Sequence, residues 1–119
     1  MEEKKRVGLG MEFFVDYSHL LPGHPKCGVP HGHTAKVVVE IYGRIREDGM
    51  IMDFKEMEEK CWRVLSEIDH KDLNKKFERP TSENIANWIF EELRKDISVS
   101  RLAFHEGQGK WCVVEESAS

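Results

Sequence analysis

The chain is expected to be an α+β domain, a four-stranded antiparallel sheet with two helices over one face. Three observations predict this. Two N-terminal stretches, "RVGLGMEFFVDY" and "HTAKVVVEIYG", are rich in β-branched and aromatic residues. Two central stretches carry apolar residues at spacings of three and four, each behind cap-forming residues. Two shorter apolar runs joined by "GQG" close the chain. The order is β-β-α-α-β-β, and with no repeat, linker or low-complexity tract it reads as one domain over residues 1–119.

The first strand is expected from about Arg6 to Tyr17, followed by a loop rich in Pro, Gly and His from Leu20 to Pro30. In the second strand Ala35, Val37, Val39 and Ile41 share one face, with Lys36, Glu40 and Tyr42 on the other. The first helix starts at "DFKE", where Asp53 and Glu56 stand in the capping-box relation. Phe54, Met57, Cys61, Leu65 and Ile68 form its apolar stripe. The second helix starts at "PTSEN", with Thr81 or Ser82 as N-cap, Glu83 at the positive helix end, and Ile85, Ile89 and Leu93 as its stripe. Strands at about Ser98 to Glu106 and Lys110 to Glu115 complete the sheet. Four strands leave two open edges, which points to assembly with other copies.

A net charge of -4 excludes a general nucleic-acid binder, which needs a basic face. No apolar run approaches the roughly 20 residues of a membrane span, and the N-terminus has no secretory apolar stretch, so a cytoplasmic protein is expected. Three cysteines make a poor disulfide framework in that setting. Cys61 and Cys112 sit within apolar patterns and read as buried small hydrophobes, whereas Cys27 lies in loop context, where a thiol is exposed and reactive.

Three constellations carry chemistry. In "KCGVPHGHT", His31 and His33 are two apart and share a face if they open a strand, and His19 in "DYSHL" comes alongside in an antiparallel hairpin. Three imidazoles leave a tetrahedral zinc open at one position; Cys27 as fourth ligand would close it into a structural site. A surface turn is the reading without a metal. In "IDHKDLN", Asp69 and His70 read as the end of the first helix. There, either His70 complements the helix dipole or Asp69 orients it for proton transfer. In "LAFHEGQG", Glu106 is either a solvated strand end or a carboxylate that receives two parallel donors from a planar ligand edge.

Together and in this order, "CGVPHGH", "GMIMDF", "IDHKDLN", "RPTSENIANWIF" and the glutamate of "HEG" resemble the 6-pyruvoyl-tetrahydropterin synthase family. The branch they resemble is that of the 6-carboxytetrahydropterin synthases of the queuosine pathway. The resemblance spans nearly the whole chain. It implies the tunnelling fold, in which three subunits join their sheets into one barrel and two such trimers stack, with sites at subunit interfaces. It implies zinc held by His19, His31 and His33, with Cys27 as a catalytic base and Asp69 and His70 as a second catalytic pair. Glu106 would anchor the pterin ring of 7,8-dihydroneopterin triphosphate. The carboxy branch cleaves the side chain and releases acetaldehyde and triphosphate; the pyruvoyl branch only eliminates triphosphate. A third branch, making hydroxymethyl-dihydropterin, typically has glutamate where Cys27 stands. Three departures are Tyr17-Ser18 in place of a small pair before the first histidine, Gly107 in place of a hydroxyl residue, and Pro30 in place of a larger aliphatic. A rival of another class is a non-catalytic protein with a zinc site closed by one cysteine and three histidines.

Overall fold

A computed structural model describes residues 5–23, 28 and 31–116. The elements are β1 (Val7–His19), β2 (His31–Gly43), α1 (Phe54–Leu65), β3 (Lys71–Asp72), α2 (Ser82–Leu93), β4 (Val99–Glu106) and β5 (Trp111–Glu115), with a 3-10 turn at Leu73–Lys75. The sheet order is β3-β1-β2-β4-β5. All neighbours pair antiparallel except β3, which runs parallel to β1. The α+β architecture is as expected. The sheet is nonetheless five-stranded and mixed, because the two-residue β3 was too short to leave a periodic signal. No helix among the described residues is long and apolar enough to cross a membrane.

β1 and β2 form a long hairpin in which Val7 stands opposite Gly43 and His19 opposite His31. Phe13, Val15, Tyr17 and His19 of β1 are buried on the inner face, as are Ala35, Val37, Val39 and Ile41 of β2. The opposite face leaves Phe14, Tyr42, Trp111 and Val113 exposed. β1 runs two residues beyond the expected Tyr17, and β2 starts two residues before the expected His33, so the histidines fall inside the hairpin.

The helices cover the inner face. α1 buries Met57, Cys61 and Leu65, and α2 buries Ile85, Ile89 and Leu93, against Val15, Val37, Leu102 and Phe104 of the sheet. Burying each such side chain contributes about 1.5–3 kcal/mol. Asp53 accepts the backbone N–H of Glu56, as a cap should, while the Glu56 carboxylate pairs with Lys60 one turn on. Phe54 is 54% exposed: the first residue after the cap faces outward, away from the stripe expected to contain it. α1 also ends earlier than expected, at Leu65, with Ile68 buried in the turn beyond. Asp69 and His70 therefore lie off the helix, and His70 does not cap its dipole.

Burial pushes the Cys61 thiol up to about 12. At pH 8 it stays protonated, and the thiolate is the reactive form. Native protein should leave Cys61 unmodified by dithiobis(2-nitrobenzoate) at pH 8 for hours, with reaction appearing only on adding denaturant; peptide mapping of the labelled thiols checks this.

Candidate metal centre and ligand site

The hairpin register builds the histidine cluster. His19 and His31 are cross-strand partners, and His33 faces Tyr17 two pairs further in. Side chains two apart on a strand share a face, so all three rings converge on the inner side. Their centroids are 4.5, 4.7 and 5.0 Å apart, and one nitrogen from each falls within 4.8 Å of the others. His19 Nδ1 lies 2.7 Å from the carbonyl oxygen of Pro80, which can only accept, so Nδ1 carries a proton, and in the neutral ring the lone pair is on Nε2.

His19 Nε2 and His33 Nε2 are buried and have no hydrogen-bond partner among the described residues. His33 Nε2 lies 3.3 Å from Glu106 Oε1, but without hydrogen-bond geometry. Two orphaned buried nitrogens in one cluster would each cost about 1–3 kcal/mol if left unmet. A cation bound there would satisfy both, and imidazole nitrogens suit zinc. Burial pushes His33 below the ordinary histidine range, Glu106 opposes this, and His19 and His31 add to it. The neutral ring, which this direction favours, is the form that ligates.

Glu106 ends β4 opposite Ala35, on the same inner face. Its Oε2 accepts the Ser82 hydroxyl at 2.5 Å and the Tyr17 hydroxyl at 3.3 Å. Burial alone would raise its carboxyl, but the Ser82 hydrogen bond and the His33 and His19 rings outweigh that and hold it below the ordinary range. Tyr17 moves the other way, pushed up first by burial and then by the Glu106 charge, so its phenol stays protonated and donates. A cavity of about 190 Å³ opens beside Glu106, lined by Ser82, Glu83, Lys110, Trp111 and Cys112.

Asp69 and His70 are brought together, but not beside the histidine cluster. His70 Nδ1 lies 3.1 Å from Asp69 Oδ2, and its Nε2 lies 3.7 Å from Asp16 Oδ2. Asp16 follows the outward-facing parity of β1 and accepts the Thr34 hydroxyl there. The whole "DHKDLN" segment fastens along the free edge of β1. Asp69 accepts the Asp16 N–H, the His70 N–H reaches the Asp16 carbonyl at 2.6 Å, and Asn74 pairs with both backbone groups of Leu20. His70 is held at φ +59°, a left-handed conformation uncommon for a residue with a Cβ. Cys27 lies outside the described residues.

Sequence reasoning missed Asp16, Ser82 and Pro80 as parts of these sites, and it noted Tyr17 only as a departure before the first histidine, without its contact to Glu106. Strand parity could have found Tyr17, which shares a face with His19. The Ser82 hydroxyl and the Pro80 carbonyl had no such signal, since both come from the approach to a helix whose docking is tertiary.

The profile of the 6-pyruvoyl tetrahydropterin synthase family matches residues 9–117. A relative from Archaeoglobus fulgidus, provisionally named 6-carboxy-5,6,7,8-tetrahydropterin synthase, is 43% identical over 96% of this chain and 98% of its own. One from Pyrococcus furiosus, named dihydroneopterin monophosphate aldolase, is 42% identical over 65% of this chain and 70% of its own. The solved structure of Caenorhabditis elegans 6-pyruvoyl tetrahydropterin synthase has the same fold, with a TM-score of 0.88 at 22% identity over 98% of this chain and 100% of that one. The chain belongs to the 6-pyruvoyl tetrahydropterin synthase family.

The backbone at His70 generates a stability prediction. Glycine adopts left-handed φ at little steric cost, while a β-branched residue does not. His70→Gly should match the wild type within about 0.5 kcal/mol, and His70→Val should lose about 1–3 kcal/mol; urea melts of the two variants read the difference.

Proposed function

We propose that the chain is a zinc-dependent lyase that converts 7,8-dihydroneopterin triphosphate to 6-carboxy-5,6,7,8-tetrahydropterin, releasing acetaldehyde and triphosphate. One observation carries this: His19, His31 and His33 each offer a nitrogen within 4.8 Å of the others, the Nε2 atoms of His19 and His33 lack hydrogen-bond partners among the described residues, and the Glu106 carboxylate stands beside them. The name given to the Archaeoglobus fulgidus relative points the same way.

His19, His31 and His33 would hold the ion. When bound, zinc would supply Lewis-acid polarisation of the substrate's side-chain hydroxyls, which eases proton removal. Glu106 accepts N–H groups of the pterin edge and fixes the ring relative to the histidines. Cys27, as thiolate, takes one proton. Asp69 orients His70 through Nδ1, and His70 moves the second proton at Nε2.

The outward parity of Asp16 sets His70 on the other side of β1 from His19 and Tyr17. The cavity beside Glu106, about 190 Å³, is also below the roughly 300–1,000 Å³ of ordinary ligand sites. Both facts support a homo-oligomer, a trimer or a pair of trimers, in which His70 of one copy serves the histidines of another. Exposed Phe14, Tyr42, Trp111 and Val113 give such an assembly apolar surface to cover. Cys61 and Cys112 are free thiols, which suits a cytoplasmic setting.

A second reading is favoured by the Pyrococcus furiosus relative: aldolase cleavage of the side chain to a hydroxymethyl product. Cys27 weighs against it. Mass analysis after incubating zinc-loaded protein with dihydroneopterin triphosphate separates the readings. A 6-carboxy product with acetaldehyde is expected; a 6-pyruvoyl or 6-hydroxymethyl product would replace the reaction proposed.

His33→Ala should lose most of the zinc, while Cys27→Ala should keep it at the wild-type level, measured by elemental analysis of purified protein. Zinc loss from Cys27→Ala would instead favour the closed, structural site.

Asp69→Ala and His70→Ala should lower turnover by on the order of 10²–10⁴-fold with zinc content unchanged. Steady-state kinetics beside melting curves check this; a lower melting point with unchanged turnover would confine the pair to fastening the β1 edge.

A further inference from the structure

We propose that Tyr17 is a positioning residue for ligand recognition: with Ser82 it fills one oxygen of the Glu106 carboxylate and so presents the other, Oε1, to the ligand. The inference rests on the pterin-binding reading above and goes beyond it in saying which oxygen makes the contact and what holds it there.

A carboxylate offers about four lone-pair sites, two on each oxygen. Oε2 receives Ser82 Oγ at 2.5 Å and Tyr17 Oη at 3.3 Å, which engages both of its sites. Oε1 lies 3.3 Å from His33 Nε2 without hydrogen-bond geometry, so it keeps its acceptor capacity on the side of the histidines. One donor alone would let the carboxylate turn about the bond that carries it. Two donors from different layers do not, since Tyr17 comes from β1 and Ser82 from the first turn of α2.

Tyr17 is itself held. It is 3% exposed, edge-on to the His19 ring at 5.3 Å, and tilted against His33 at 5.6 Å and Phe104 at 6.0 Å. One ring thus packs against two of the candidate metal ligands while its hydroxyl pins the carboxylate. A ligand N–H that meets Oε1 is thereby placed at a set distance from the histidine cluster. The two-oxygen grip expected from the sequence becomes a grip through one oxygen, because a second N–H aimed at Oε2 finds its sites taken.

The test is Tyr17→Phe, which removes the hydroxyl and keeps the ring packing, studied zinc-loaded and as the full chain. Calorimetry with neopterin should show Kd weakened about 5- to 10-fold, the loss of one charge-assisted hydrogen bond of modest length. KM for dihydroneopterin triphosphate should rise in parallel, kcat should fall by less, and zinc content should stay at the wild-type level. Ser82→Ala should weaken neopterin binding too, and the double variant should fall short of the summed effects because both hydroxyls act on one oxygen. Neopterin binding by Tyr17→Phe equal to or tighter than wild type would overturn the assignment, even with a lowered melting point, since the phenol would then only fill space. Absence of neopterin binding by the wild type would overturn the pterin reading and this inference with it, and is told apart because no variant enters that comparison.

Discussion

The pairing of β1 with β2 is the constraint on which the rest of the structure depends. From Val7 opposite Gly43 to His19 opposite His31 the register is unbroken. Side chains alternate between faces, so a slip of one residue would carry either His19 or the His31–His33 pair to the far side of the sheet. That register is maintained far from the histidines, by Phe13, Val15, Ala35, Val37, Val39 and Ile41, whose burial beneath the helices would be lost by one strand or the other in a one-residue slip. The apolar core is therefore what aims three polar rings at one point.

The approach to α2 is the second determinant. Thr81 caps the helix by accepting the Asn84 N–H, which fixes where its first turn begins. The residue before the cap, Pro80, then turns its carbonyl to His19 Nδ1, and the residue after it, Ser82, turns its hydroxyl to Glu106. One capped terminus thus orients a histidine on β1 and a carboxylate on β4. The carboxylate is tolerated in a largely enclosed place because hydroxyl donors and neighbouring rings offset its lost hydration.

The two polar clusters are separated by the sheet. The histidines and Glu106 lie between sheet and helices, while His70 reaches Asp16 on the outward side of β1. What joins them in the chain is the free edge of β1, where Asp69, His70 and Asn74 bond to the backbone from Asp16 to Leu20. The same edge therefore fixes the left-handed turn at His70 and the end of the strand that carries His19.

Much of this was legible in the chain. Period-two alternation in "HTAKVVVEIYG" and the helical stripes at Met57, Cys61, Leu65 and at Ile85, Ile89, Leu93 are local patterns, and local patterns report secondary structure and its buried face directly. The spacing of His31 and His33 likewise put two candidate ligands on one face. The short β3 was not legible, because two residues cannot carry a period. Phe54 was misplaced because a stripe extended into the first turn ignores where the core ends. The pairing of Tyr17 and Ser82 on one oxygen of Glu106, the Pro80 carbonyl on His19 and the outward setting of His70 belong to the tertiary structure alone. Each joins residues on different elements, 53 to 89 positions apart where the two ends are furthest separated in the chain. Contacts across that distance are decided by how helices dock on a sheet, which depends on the summed burial of the core and leaves no mark in the residues that meet.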